Sequence, residues 1–253
     1  MARKQQTIYN DYDRNQVKAI LKKRKVKRRK RRLKILLIIL IIILIIAFFM
    51  SDYSRLKSIT VSGNNRVERQ EIIDAAKINL HQDYTFFTNT DEIVSRIKEV
   101  PLVKSARVSK NLFGDVTIKI VEADPIAQCT IDNVLYVVDE TGRIIKDEAG
   151  KYVSYVQRCP RLNNFDYEHL EEFSKEFIKL PSQVINQISD INYAPLSADE
   201  TRCEFIMDDA KILYLRYDDM AEQLKGNNYA SLMEKYPDDK YYDFLGKYVY
   251  RSK

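Results

Sequence analysis

The spacing of apolar residues divides the chain into an unbroken run, a helix-and-strand module and a longer strand-rich stretch. Ile35–Met50 contains twelve Ile or Leu, two Phe, one Ala and one Met. Adding Leu33 and Lys34 gives 18 residues, about 27 Å of helix at 1.5 Å per residue, near the short limit for crossing a membrane. Lys34 helps close the gap by reaching back to the headgroups. Fourteen Ile, Leu and Phe side chains favour insertion by about 4–8 kcal/mol. Beyond this run, Leu56–Val61 predicts a short strand stopped by Ser62-Gly63-Asn64-Asn65. Glu68–Lys77 puts Ile72, Ala75, Ala76 and then Leu80 on one helical face. Asn89 and Glu92 have capping-box spacing ahead of Ile93, Ile97 and Val100, and Pro101 stops that helix. Lys104–Lys110 and Val116–Val121 alternate as strands, with Val116, Ile118 and Ile120 inward and a five-residue loop, Asn111–Asp115, between them. The pattern is β-α-α-β-β.

After Asp124-Pro125 the chain reads as mostly β. Leu135–Asp139 and Arg143–Ile145 predict a hairpin, and Tyr152–Arg158 another strand. Asp166–Leu180 carries Leu170, Phe173, Phe177 and Leu180 as one helical stripe. Pro181 opens a second short helix with Val184, Ile185 and Ile188. Strands follow at Asp190–Tyr193, Arg202–Met207 and Lys211–Tyr217. Asp219–Tyr236 reads as a helix interrupted at Gly226-Asn227-Asn228, and two final strands are expected at Lys240–Leu245 and Lys247–Arg251. The fold class is α+β.

Charge gives the apolar run a direction. The formal balance is 42 basic against 36 acidic residues, +6, but it is unevenly spread. Residues 1–34 hold 15 Lys/Arg and 2 Asp, and the rest holds 27 basic and 34 acidic. Lys22–Lys34 alone has eleven Lys/Arg in thirteen positions. Such a cluster beside an apolar run keeps its side cytoplasmic and sends residues 51–253 out. That topology accounts for the basic charge without nucleic acid. A cleaved signal peptide fits less well, because the run is long and ends in Phe48-Phe49-Met50-Ser51 with no A-x-A-like site. The expected layout is a basic cytoplasmic tail over 1–32, mobile over 1–13, a membrane helix over 33–50, the βααββ module over 55–123 and a β domain over 124–253.

Catalytic chemistry is poorly served. Cys129, Cys159 and Cys203 have no metal-site spacing, and His81 and His169 cannot readily complete one. One disulfide among them, or buried free thiols, both fit. Cys203 with His169 and Arg216 supplies the residue types of a cysteine transpeptidase. However, Cys203 alternates with Phe205 and Met207 as a core-facing strand position. Asp208-Asp209, Asp218-Asp219 and Asp238-Asp239 read as turns and helix starts rather than metal ligands. No enzyme activity, cofactor, metal or small-molecule substrate is expected.

The order of segments resembles the FtsQ/DivIB family of bacterial division proteins. The resemblance rests on Ile59-Thr60-Val61-Ser62-Gly63-Asn64 and Val103-Lys104-Ser105-Ala106-Arg107-Val108. It rests also on the junction Val116–Ala127, similar to the family's I-x-V-x-E-x-x-P-x-A, and on Tyr136–Gly142 after it. Phe113-Gly114 stands where the family often has Trp-Pro or Tyr-Pro. The resemblance implies a POTRA domain followed by a mostly antiparallel β domain with flanking helices. It implies a non-catalytic scaffold of the division septum in the bacterial cell membrane, binding DivIC (FtsB-like) and FtsL outside. The partner would add a strand at the last strand, which maps to Tyr241, Tyr242, Phe244, Gly246, Lys247, Tyr248, Val249, Tyr250 and Arg251. A terminal strand with one open edge is a physical template for such addition. The alternatives are a sortase-like cysteine transpeptidase and a POTRA-bearing assembly factor.

Overall fold

The computed structural model describes the backbone of residues 2–225, 228–246 and 249–253. It begins with one helix, α1 (Ala2–Phe49). Its Arg24–Phe49 portion is long and apolar enough to cross a membrane, and none of it is buried against the rest of the chain. Apolar side chains exposed all round a helix mark a lipid-facing span. The helix runs from Ala2 through the residues expected as a tail. No Gly or Pro occurs before Met50, so a helix nucleated in the apolar run propagates at little cost.

A 3-10 turn (Asp52–Ser54) leads to β1 (Ser58–Ser62), α2 (Arg69–Ala76), α3 (Thr90–Lys98), β2 (Val103–Lys110) and β3 (Asp115–Glu122). The three strands form a sheet in the order β1-β3-β2. This is the expected βααββ order. Ile72, Ala76, Ile93 and Ile97 are buried from the helices, and Val116, Ile118 and Ile120 from β3. Leu80 leaves the predicted stripe: α2 ends with Lys77 in the left-handed region (φ 50°), and Leu80 is exposed.

The second sheet collects β4 (Pro125–Ile131), β5 (Val134–Asp139), β6 (Ile144–Asp147), β7 (Arg161–Asn163), β8 (Ile188–Tyr193), β9 (Arg202–Met207), β10 (Ile212–Arg216), β11 (Tyr241–Asp243) and β12 (Tyr250–Ser252). Their order is β12-β11-β10-β9-β8-β7-β4-β5-β6. Antiparallel pairs predominate, but β7 lies parallel to both β4 and β8, and β11 lies parallel to β10. A parallel step needs a crossover, and helices α7 (Met220–Gln223) and α8 (Asn228–Lys235) lie in the one before β11. Gly226 and Asn227, where an interruption was expected, lie outside the described residues. Helices α5 (Tyr167–Phe177) and α6 (Ser182–Ile185) contribute Leu170, Phe173, Phe177 and Ile185 to a core shared with Phe205 and Leu213. Asp166 caps α5 by accepting the amide of His169 at 2.8 Å.

One predicted strand is a helical turn. Tyr152–Arg158 forms α4 (Val153–Val156), because both carboxylate oxygens of the buried Asp147 hold the Lys151 and Tyr152 amides at 2.8 and 2.7 Å. The spacing of Tyr152 and Val156, both buried, then suits a helix face.

Contacts group the chain into two compact units. One comprises residues 1–60, 78–90 and 109–117; the other comprises 61–77, 91–108 and 118–253. Within the larger one, the Glu122 carboxylate accepts the amides of Asn65, Arg66 and Val67 at 2.7, 2.8 and 2.9 Å. Gly63 must be Gly: its φ is 87°, and an added Cβ would lie 2.1 Å from the Ile120 carbonyl oxygen. Glu122→Ala strands three amide donors and is expected to lower unfolding stability by about 3 kcal/mol in urea titration, with Glu122→Gln less affected.

Candidate partner-binding edge

The last two strands are fixed from the inside outward. Tyr242 is fully buried and donates its hydroxyl to the Tyr236 carbonyl at 2.7 Å. Phe244 is buried too, and its amide donates to the Tyr214 carbonyl at 2.9 Å. The Arg216 guanidinium pairs with Asp199 at 2.9 Å and donates to the Leu245 carbonyl at 2.8 Å. On this base β12 pairs antiparallel with β11, matching Tyr241 to Ser252, Tyr242 to Arg251 and Asp243 to Tyr250. The Arg251 guanidinium reaches Asp239 at 2.5 Å and lies over the Tyr236 ring at 3.3 Å.

β12 is the outermost strand, so its outer row of backbone groups has no strand beside it among the described residues. Gly246, Val249, Tyr250 and Arg251 are exposed there, Tyr250 at 67%. Tyr241 is half-buried under the Lys240 amine, 5.4 Å from the ring centroid. Lys247 and Tyr248 lie outside the described residues. Tyr242 and Phe244, expected among the contact residues, face the core instead. The strand alternation that exposes their neighbours turns them inward. Asp239 and Tyr236 were missed as clamps of Arg251. Their sequence signal, the Asp238-Asp239 pair, reads only as a turn.

The residues of the transpeptidase alternative do not assemble into a reactive thiol. Cys203 is fully buried, and burial pushes its thiol far up. Burial also raises Cys129 to about 12 and Cys159 to about 11. All three cysteines are free thiols. His169 is bound to Asp166 at 2.8 Å and stands beside the Tyr193 ring, and Arg216 is committed to Asp199 and Leu245. A cleft of about 470 Å³ is lined by Arg66, Asp124, Ile126, Cys159 and Ile185 among others. There Arg66 pairs with Asp124 at 2.8 Å, and the Cys159 thiol donates to the Pro125 carbonyl at 3.3 Å. Among the described residues no cluster of His, Cys, Asp and Glu is arranged to hold a metal.

An N-terminal membrane-type helix, a βααββ module and a mixed sheet with an open last strand define a membrane-anchored POTRA-type protein. Residues 54–123 match the family described as "POTRA domain, FtsQ-type". Over a longer span the chain is similar to bacterial cell division proteins named DivIB. It is 27% identical to cell division protein DivIB of Bacillus subtilis (strain 168) over 194 residues, 76% of this chain and 72% of that protein. It is 29% identical to DivIB of Enterococcus faecalis (strain 62) over 185 residues, 70% of this chain but only 47% of that protein. DivIB of Listeria monocytogenes is 28% identical over 179 residues, 70% and 65% of the two chains. The solved major extracytoplasmic domain of DivIB from Geobacillus stearothermophilus is 23% identical, with a TM-score of 0.37, covering 46% of this chain and 95% of that one.

Two outcomes follow from this geometry. Asp239→Asn is expected to speed hydrogen exchange at Tyr250–Ser252 by roughly tenfold while Cys203–Met207 stays protected, because the clamp on Arg251 loses its charge. With the partly exposed Cys159 at about 11, roughly one molecule in a thousand carries its thiolate at pH 8. Alkylation of the native chain at that pH is therefore expected to be slow at all three thiols and complete only after unfolding.

Proposed function

We propose that this chain is a non-catalytic scaffold of the division machinery, anchored with its basic end in the cytoplasm. Its outer sheet captures DivIC (FtsB-like) and FtsL at the septum. The observation that carries this reading is the position of β12, the outermost strand of the nine-stranded sheet. A strand of DivIC laid along that edge extends the sheet through main-chain hydrogen bonds. Tyr250, exposed and rigid, supplies the side-chain anchor, with Tyr248 as the second anchor expected from the sequence. The edge is short, and Arg251 and Lys253 keep it charged, which disfavours pairing of two copies. The anchor confines the outer part to two dimensions, so modest pairwise affinities suffice. The eleven Lys/Arg of Lys22–Lys34 set the orientation.

The test is capture of the outer segments of DivIC and FtsL by the full chain in detergent, beside a chain ending at Leu245 and a Val249→Pro variant. Both altered chains are expected to lose capture while keeping the circular dichroism of the intact protein. Tyr250→Ala is expected to weaken binding by about 2 kcal/mol, roughly thirtyfold. Equal capture by a folded chain ending at Leu245 would move the site away from the last strand.

A further inference from the structure

The segment that leaves the span is gripped by two loops whose tips are apolar and exposed. Phe86 and Phe87 are 60% and 69% exposed, and Leu112 and Phe113 are 60% and 67% exposed. These loops are built firmly, so the display is not a loose end. The Thr85 amide donates to the Ser54 carbonyl at 2.8 Å, the Leu56 amide to Asp83 at 2.8 Å and the His81 amide to Leu56 at 2.7 Å. Arg55 donates to the His81 carbonyl at 3.0 Å and lies over the Tyr84 ring. The Lys110 amine ties the carbonyls of Thr85 and Thr88, both at 2.6 Å. The second loop is equally constrained. The Lys57 amide donates to the Gly114 carbonyl at 2.8 Å, and Gly114, at φ 99°, leaves no room for a Cβ, which would lie 2.0 Å from the Arg55 carbonyl oxygen.

The first tip is continuous with the span itself. The Phe86 ring lies 4.8 Å from that of Phe49, the last residue of α1, and Phe87 meets Phe86 edge-on at 5.4 Å. Phe86 therefore sits at the depth where the span emerges. There, at the boundary of hydrocarbon and headgroups, aromatic rings are favoured. The span is also short: from Leu33 to the helix end at Phe49 its apolar stretch makes about 26 Å of helix against a core of about 30 Å. A collar of apolar rings around its exit relieves that mismatch.

We infer that the loop tips Phe86-Phe87 and Leu112-Phe113 seat in the outer face of the lipid bilayer around the exit of the span. The occupant of this apolar patch is the acyl–headgroup boundary, because the patch continues the lipid-facing surface of α1. Nearby charges are of both signs, with Asp52 and Asp83 beside Arg55 and Lys57, so the seat depends on ring insertion rather than on anionic lipid. The inference rests on the membrane-spanning reading of α1 and not on the proposed partners.

The chain has no tryptophan, so a single introduced indole reports its own surroundings. Full-length Phe86→Trp and Phe113→Trp are placed, one copy each, in nanodiscs of phosphatidylcholine with or without bromine near the top of the acyl chains. Phe48→Trp serves as the reference within the span. Both loop indoles are expected to be quenched at least roughly half as strongly as the reference, and equally when anionic lipid is added. Loss of quenching at either loop with the reference quenched would overturn the seat while leaving the span intact. A blue-shifted emission that bromine does not quench would assign the patch to a protein surface and overturn it as well. An unquenched reference would remove the span and the seat together.

Discussion

A buried carboxylate holding three backbone amides is the constraint on which the larger unit depends. Glu122 ends β3, and its side chain is nearly inaccessible. The Asn65–Val67 turn can satisfy its donors only by converging on that one group. The next three residues continue the lock. Ala123 donates its amide to the Leu102 carbonyl, Asp124 and Glu140 exchange hydrogen bonds, and Pro125 begins β4. Arg143, held by the buried Asp139, closes the arrangement by donating to the carbonyls of Lys98 and Val103. The junction between module and sheet is therefore a hydrogen-bonded lattice of short-range groups rather than a linker.

The sheet that starts from this junction ends in a strand of different character. Its middle strands bury Cys203, Phe205, Leu213 and Leu215 and have neighbours on both sides. Among the described residues β12 has a strand on one side only, and its pairing with β11, the Arg251–Asp239 ion pair and the contact of Arg251 with the Tyr236 ring hold it there. An edge of this kind leaves a row of backbone groups open, which is the property the proposed strand addition uses.

Much of this was readable because the signals are local. The Val116-Ile118-Ile120 alternation and the Leu170-Phe173-Phe177 stripe each depend on a few neighbouring residues, and each element stands where its pattern put it. The Cys203 alternation was enough to place the thiol in the core. Reading failed where a distant group decided. Tyr152–Arg158 has a strand's composition, and Asp147 turned it into a helical start. Leu80 fits a helical stripe that ended four residues earlier at Ala76.

The site divides along the same line. The resemblance put the candidate edge at the last strand, and the sequence pattern expected strands over Lys240–Leu245 and Lys247–Arg251, where the structure has shorter ones at Tyr241–Asp243 and Tyr250–Ser252. Which of its residues face outward did not follow, because Tyr242 and Phe244 are as aromatic as Tyr250. The register of β11 on β10, which sets Tyr242 beside the buried Leu213, decides which alternate positions face the core. The sequence by itself determined the apolar run, its basic flank, the βααββ order and the core positions on the long helices and alternating strands, all carried by composition and short-range periodicity. The tertiary structure decided the strand order, the parallel steps at β7 and β11, the edge position of β12 and the contact of Phe86 with Phe49. Those depend on which segments far apart in the chain come to share backbone hydrogen bonds, and a backbone donor carries no mark in the sequence of the acceptor it will find.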